Sequence, residues 1–151
     1  MTHFLDLTTV YGPNKVRSDQ LRLHQGGLLR SSQGVNGRPG LFQQPGTCSG
    51  KVCQFQAGEN RLNENLPLIS IQVLFMREHN RIAGELSRIN PHWSDDRLFN
   101  EARKITIATY QHIIYNEYVP IVVGWNTAAQ FDLMPLRNGG FHTGYDSTVI
   151  Y

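Results

Sequence analysis

The chain has 151 residues, of which 40% are hydrophobic and 17% charged, and its net charge is +2. That length suits one domain with a real core, and the composition is that of an ordered globular chain, not a disordered one. The basic residues are scattered and give no reason to invoke nucleic acid, and no run of about 18 apolar residues reaches the length of a membrane span.

Residues 1–12, MTHFLDLTTVYG, alternate polar, β-branched and apolar side chains and end in a Gly12–Pro13 turn. They read as extended structure or an ordered loop, not a helix, and residues 1–20 contain no apolar core of a signal peptide. Residues 14–22 suit a short helix or turn. Residues 23–60 are rich in Gly, Ser, Gln, Asn and Pro and read as a long irregular excursion, of the kind that is functional or inserted on a larger scaffold.

The helical part starts after Arg61. Leu68, Ile71, Phe75, Ile82, Leu86 and Ile89 form an apolar stripe at helical spacing, which Asn90–Pro91 ends. Ser94 with Asp95 and Asp96 makes an N-cap and acidic first turn for a second helix. Its stripe runs through Leu98, Ala102, Ile105, Ala108, His112, Tyr115 and Val119, and Pro120 and Gly124 close it. The short connection predicts two roughly antiparallel helices. Beyond Gly124 the chain is turn-rich, without clear periodicity. Two amphipathic helices bury only one face against each other, so their remaining apolar surface calls for a further partner.

Several residues carry candidate chemistry. His79 and His112 lie in the two stripes, where a pair of histidines on facing helices can ligate a haem or metal, although a histidine on an apolar face is more often a hydrogen-bonded core residue. The run Arg77, Glu78, His79, Asn80, Arg81 is a dense polar patch. Part of it reads as a solvated face with Arg81 and Glu85 at i,i+4, and His79 needs a network to satisfy it. Arg61 and Glu64 sit three apart before the first helix. They are either an exposed ion pair or an arginine aimed at charge developing on an oxygen. Thr2, Asp6 and Thr8 place oxygens at alternating positions, which suits a hard cation such as calcium, though with one carboxylate. Cys48 and Cys53 are too far apart for a CxxC motif, and either two free thiols or a short-loop disulfide fits their spacing.

Five blocks together resemble one family. They are FLDLTTVYG (4–12), Cys48 and Cys53 followed by FQAGENRLNE (55–64), LFMREHNRIA (74–83), INPHWSDDRLFNEARK (89–104) and QHIIYNEYVPIVVG (111–124). In order and approximate spacing they are similar to consecutive segments of the animal haem peroxidases. The resemblance is weakest over 13–47 and after Gly124.

The resemblance implies roles. Arg61 matches the distal arginine that polarises the peroxide O–O bond, and Glu64 matches the glutamate that esterifies a haem methyl group. Asn65 follows Glu64, so the methionine that forms a third haem bond in some members is absent. Glu59 stands where the family more often has Asp. Thr2, the Phe4 carbonyl, Asp6 and Thr8 match a calcium loop, and Cys48 and Cys53 match a disulfide. The implied cofactors are haem b, tethered through Glu64, and calcium. The implied substrates are hydrogen peroxide and a small electron donor, with a secreted location and a part in the response to oxidative stress. The implied fold is mainly α, a partial animal haem peroxidase-like helical domain with long irregular loops. It divides into a calcium-loop segment 1–12, an irregular loop 13–60, a helical segment 61–124 and an irregular tail 125–151.

In the family a distal histidine lies upstream of the calcium loop and a proximal histidine well downstream of the second helix. Their matches are expected before Met1 and after Tyr151. His142, ahead of GYDSTVIY (144–151), is not the matching residue. The chain therefore reads as an internal portion of a peroxidase, inactive alone. Two other readings are a non-catalytic peroxidase-like adhesion or binding module, and a small helical haem- or metal-binding protein using His79 and His112.

Overall fold

The computed structural model describes residues 2, 4–44, 46–49 and 53–135. The expectations for the tail beyond residue 135, including His142, lie outside these. The architecture is mainly helical with one small two-stranded sheet. The chain divides into two compact units, Met1–Tyr110 and Gln111–Tyr151.

The first unit opens with two short helices, α1 (Thr8–Tyr11) and α2 (Lys15–Leu21). Helix α1 corrects the expectation of a purely extended or loop segment at 1–12. Its first turn is set by the Asp6 carboxylate, which accepts the Thr8 amide at 3.0 Å, a local bond that outweighs the weak helix propensity of the two threonines. Gly12, at φ +87°, ends α1 in a conformation that favours glycine. Asn14 caps α2, accepting the Arg17 amide at 2.9 Å.

Within the irregular stretch lies a hairpin that the sequence pattern concealed, β1 (Ser31–Gln33) against β2 (Pro39–Leu41), antiparallel with Ser32 opposite Gly40. Its strands are three residues long, SSQ and PGL, too short to show alternation.

Helix α3 (Leu66–Ile89) is the spine of the unit. Asn65 caps it, accepting the Leu68 amide at 3.0 Å, and Pro67 stands in the first turn, where no donor is needed. Helix α4 (Asp95–Ile113) follows, with the Ser94 hydroxyl accepting the Arg97 amide at 3.4 Å. The two helices are antiparallel. The Phe75 and Tyr110 rings meet edge to face at 5.4 Å, and Ile82 and Ala83 pack with Ala102 nearer the connection.

The buried faces are rotated from the expected stripes. On α3 they run through Gln72, Phe75, Met76, His79, Ile82 and Ala83, and on α4 through Leu98, Phe99, Ala102 and Thr106. Ile71, Ile89 and Ile105 are exposed. Each helix carries apolar residues on two flanks, and periodicity cannot tell which flank this unit covers. The expected Arg81–Glu85 pair is also replaced: Arg81 pairs with Glu78 and Arg88 with Glu85, each at i,i+3.

His79 is fully buried and doubly bonded. Its Nε2–H donates to the Gly27 carbonyl at 2.9 Å, and its Nδ1 accepts from the Tyr11 hydroxyl at 3.0 Å. It thus ties α1, α3 and the loop at 27 together. Gly27 is indispensable there, because at φ +72° a Cβ would meet Leu98 Cβ and the Phe99 amide nitrogen, both at 2.6 Å. Beside it Asn80 clamps Leu29, accepting its amide at 2.8 Å and donating to its carbonyl at 3.0 Å. The polar patch on α3 therefore has the network that its burial requires.

Burial lowers the His79 pKa from 6.5 to about 4. Between these values the unfolded chain binds a proton that the folded chain refuses, so stability falls as pH drops from 6.5 toward 4. This group alone is expected to remove up to about 3 kcal/mol across that window. Denaturant midpoints at neutral pH and at about pH 5 check it, since His79→Gln should flatten the loss. An equally steep acid loss in His79→Gln would assign the sensitivity to other groups.

In the second unit, α5 (Val119–Val123) and α6 (Trp125–Gln130) follow a π turn at Ile114–Tyr118. Pro120 lacks the N–H that would bond back to residue 116, and the wider π turn absorbs that defect. Helical structure thus passes Pro120 and stops at Gly124, φ +84°. Helix α6 departs from the expected irregular tail. His112 is exposed and bonds within its own turn, with Asn116 donating to its carbonyl at 3.0 Å.

Candidate functional site

Arg61 and Glu64 lie in a 3-10 turn, Asn60–Glu64, immediately before α3. A 3-10 turn has three residues per turn, so residues three apart project from the same side. Both side chains are exposed, while Leu62 between them is buried and anchors the turn in the core. Asn63 supplies a second anchor. Its side-chain amide donates to the Phe55 carbonyl and accepts the Phe55 amide, both at 2.9 Å. Phe55 is in turn bridged to Gln43.

The segment leading into the turn is equally constrained. Arg17 on α2 donates through Nε and Nη2 to the Ala57 carbonyl at 3.0 and 2.7 Å. Gly58 rests directly on α1: a Cβ there would overlap the Thr8 carbonyl oxygen and the Gly12 amide nitrogen, and would lie 2.9 Å from Gly12 Cα.

The ion pair weighed for Arg61 and Glu64 forms instead between Arg61 and Glu59, with Nε to Oε1 at 3.0 Å. Glu59 is buried, whereas the Arg61 side chain is 68% exposed. Hydrogen bonding from Arg61 holds the Glu59 carboxyl below its ordinary range. Glu64 accepts no hydrogen bond and forms no ion pair among the described residues. Leu66, which follows the turn at the start of α3, is 76% exposed, so the segment carries an outward arginine, a carboxylate and an apolar side chain at its surface. That donor set fits a flat, largely apolar group with a tethering point and a ligand needing an N–H donor.

The second cluster lies at the start of the chain. The Thr2 hydroxyl donates to Asp6 Oδ2 at 2.8 Å and lies 2.9 Å from the Thr8 hydroxyl, which itself donates to Asp6 Oδ1. Three of the four residues assigned to the cation are therefore brought together. Phe4 sits in the bend between them, its ring exposed. Burial raises the Asp6 carboxyl, but hydrogen bonds from Thr8 and Thr2 outweigh it and hold the pKa below its ordinary value. An open cavity of about 550 Å³ borders this cluster, lined also by Arg22, Phe99 and Arg103. Converging hydroxyl and carboxylate oxygens fit a hard cation.

Cys48 and Cys53 are bridged. His79 has both ring nitrogens engaged within the core. Sequence reasoning noted Glu59 only as a departure and overlooked Gly58 and Asn63. The available signals were Glu59 at the N-cap position of the turn and a glycine directly ahead of it.

A family model described as animal haem peroxidase matches residues 1–151. Chorion peroxidase of Drosophila melanogaster is 43% identical over 148 residues, covering 94% of this chain and 18% of that protein. Eosinophil peroxidase of Mus musculus is 40% identical over 136 residues, covering 82% of this chain and 19% of that protein. Peroxidase A from Dictyostelium discoideum superimposes with a TM-score of 0.69 at 31% identity, over 78% of this chain and 24% of that structure. The chain thus spans about a fifth of the length of these curated relatives. With a family model that matches residues 1–151 and relatives above 30% identity over most of the chain, the chain belongs to the animal haem peroxidase family.

Proposed function

We propose that the chain is the distal-arginine and haem-tethering portion of a secreted haem peroxidase, which reduces hydrogen peroxide and oxidises a small electron donor. The observation that carries this reading is the anchored 3-10 turn that presents Arg61 and Glu64 together on an exposed face. Haem b, when bound, supplies the redox chemistry at its iron. Arg61 keeps its charge at every working pH and donates N–H to the peroxide oxygen on which negative charge grows. Glu64, with its oxygens unengaged, is the residue that would tether the haem. The Cys48–Cys53 bridge supports an oxidising, extracellular setting. No helix among the described residues is long and apolar enough to cross a membrane.

The test is haem content and peroxide-dependent oxidation of a phenolic donor by the full-length protein that carries residues 1–151. A full-length product without bound haem would overturn the proposal. Residues 1–151 alone, mixed with haem, are expected to oxidise the donor no faster than free haem, because the core histidine His79 has no free nitrogen to offer iron.

Thr2, Asp6 and Thr8, with the Phe4 carbonyl, are proposed to contribute one side of a calcium site. Asp6→Ala in the full-length protein removes its one carboxylate from this cluster and should lower calcium retained after dialysis, read by atomic absorption. It should also lower the melting temperature, because the same carboxylate sets the first turn of α1. Unchanged calcium content would remove these residues from the site.

A further inference from the structure

We infer that Glu59 is a positioning residue for Arg61: it grips one edge of the guanidinium and leaves the other edge free to donate. The inference rests on the proposed role of Arg61 at the peroxide. A guanidinium is a planar fork with donors on two edges. Glu59 Oε1 accepts from Arg61 Nε at 3.0 Å, and Oε2 lies 3.4 Å from Nη2. Both contacts fall on the Nε–Nη2 edge, and Nη1 has no partner among the described residues. The same carboxylate accepts the Arg61 amide at 3.4 Å, so it reads both the backbone and the head group of one residue.

The grip matters because the rest of Arg61 is unsupported. Its side chain is 68% exposed, and an exposed arginine samples many rotamers and gains little from an ordinary surface pair. Glu59 differs from a surface partner, since its own side chain is only 9% exposed and its backbone lies between Gly58, pressed on α1, and the 3-10 turn. The immobile partner is the carboxylate, and the mobile one is held to it. A donor fixed before reaction needs no reorganisation when charge develops. A lysine at 61 would keep the charge but has no second edge, so it could not be gripped and donate in a fixed direction at once.

The experiment uses the full-length haem protein with Glu59→Gln, Arg61→Ala, the double variant and Arg61→Lys. The rate of reaction with hydrogen peroxide is followed by stopped flow, and the cyanide dissociation constant is measured by haem absorbance. Glu59→Gln should slow the peroxide reaction about tenfold, as losses of an orienting partner do, and weaken cyanide binding. In the Arg61→Ala background Glu59→Gln should change neither quantity, because there is no head group left to hold. Arg61→Lys should fall close to Arg61→Ala. A slowing by Glu59→Gln that persists in the Arg61→Ala background would make Glu59 merely structural and overturn the inference. So would an Arg61→Lys variant as fast as the parent, and this arm stands even if Glu59→Gln does not fold, since position 61 is exposed. If Arg61→Ala itself leaves the peroxide reaction unchanged, the role of Arg61 has failed, a result distinct from failure of the Glu59 grip alone.

Discussion

Arg61→Ala in the proposed full-length peroxidase is expected to slow the reaction with peroxide by about 100-fold or more, the usual loss for one preorganised donor at a site of developing charge. Haem content should hold near the parent level, because Arg61 is exposed and its loss removes no core contact. Its removal leaves Glu59 buried and unpaired, which gives a modest stability loss that a melting curve reads separately. Glu64→Gln should show the opposite pattern. Turnover survives in part, while haem becomes extractable by acidified solvent, since an amide cannot form the ester. Stopped-flow rates beside haem extraction distinguish the two. Equal losses of rate and haem in both variants would mean that the turn merely supports the fold.

Among the described residues, Gly58→Ala should be the most damaging single methyl group. Its Cβ would clash with the Thr8 carbonyl oxygen and the Gly12 amide nitrogen, which are backbone atoms that cannot rotate away. Either α1 moves, or the segment leading to Arg61 moves, and the expected cost is more than about 3 kcal/mol. The position also links the two candidate clusters. Thr8 belongs to the oxygen cluster with Asp6, and Glu59 follows Gly58 directly. Gly58→Ala should therefore lower calcium retention and peroxide reactivity together, whereas Asp6→Ala acts first on calcium. Gly84, where a Cβ meets nothing within 4 Å, is the matched control, and Gly84→Ala should leave the melting temperature and both functions intact. A Gly58→Ala protein with parent stability would show that α1 and the arginine segment do not touch as described.

The signals that the sequence carried faithfully are those that act within one turn of the chain. The Ser94, Asp95, Asp96 start and the Asn90–Pro91 stop bound the two long helices, because capping and loss of an N–H donor are local effects. The spacing of Arg61 and Glu64 and the alternating oxygens of Thr2, Asp6 and Thr8 were likewise visible as patterns, while the roles proposed for them, and the pairing of the two cysteines that the structure bridges, came from the resemblance of five ordered blocks. Tertiary structure decided what depends on segments far apart. Apolar residues flank α3 on two sides, and packing against α1 and α4 selected the Phe75, Met76 and His79 face over Ile71. His79 became a core residue because Tyr11 and Gly27, distant in sequence, offered both its nitrogens a partner. Arg61 paired with Glu59 instead of Glu64 because the N-cap position turns the Glu59 carboxylate back over the first turn, while Glu64 points to solvent. Spacing alone treats two carboxylates near an arginine as equivalent; burial and backbone direction separate the one that pairs with it from the one that stays exposed.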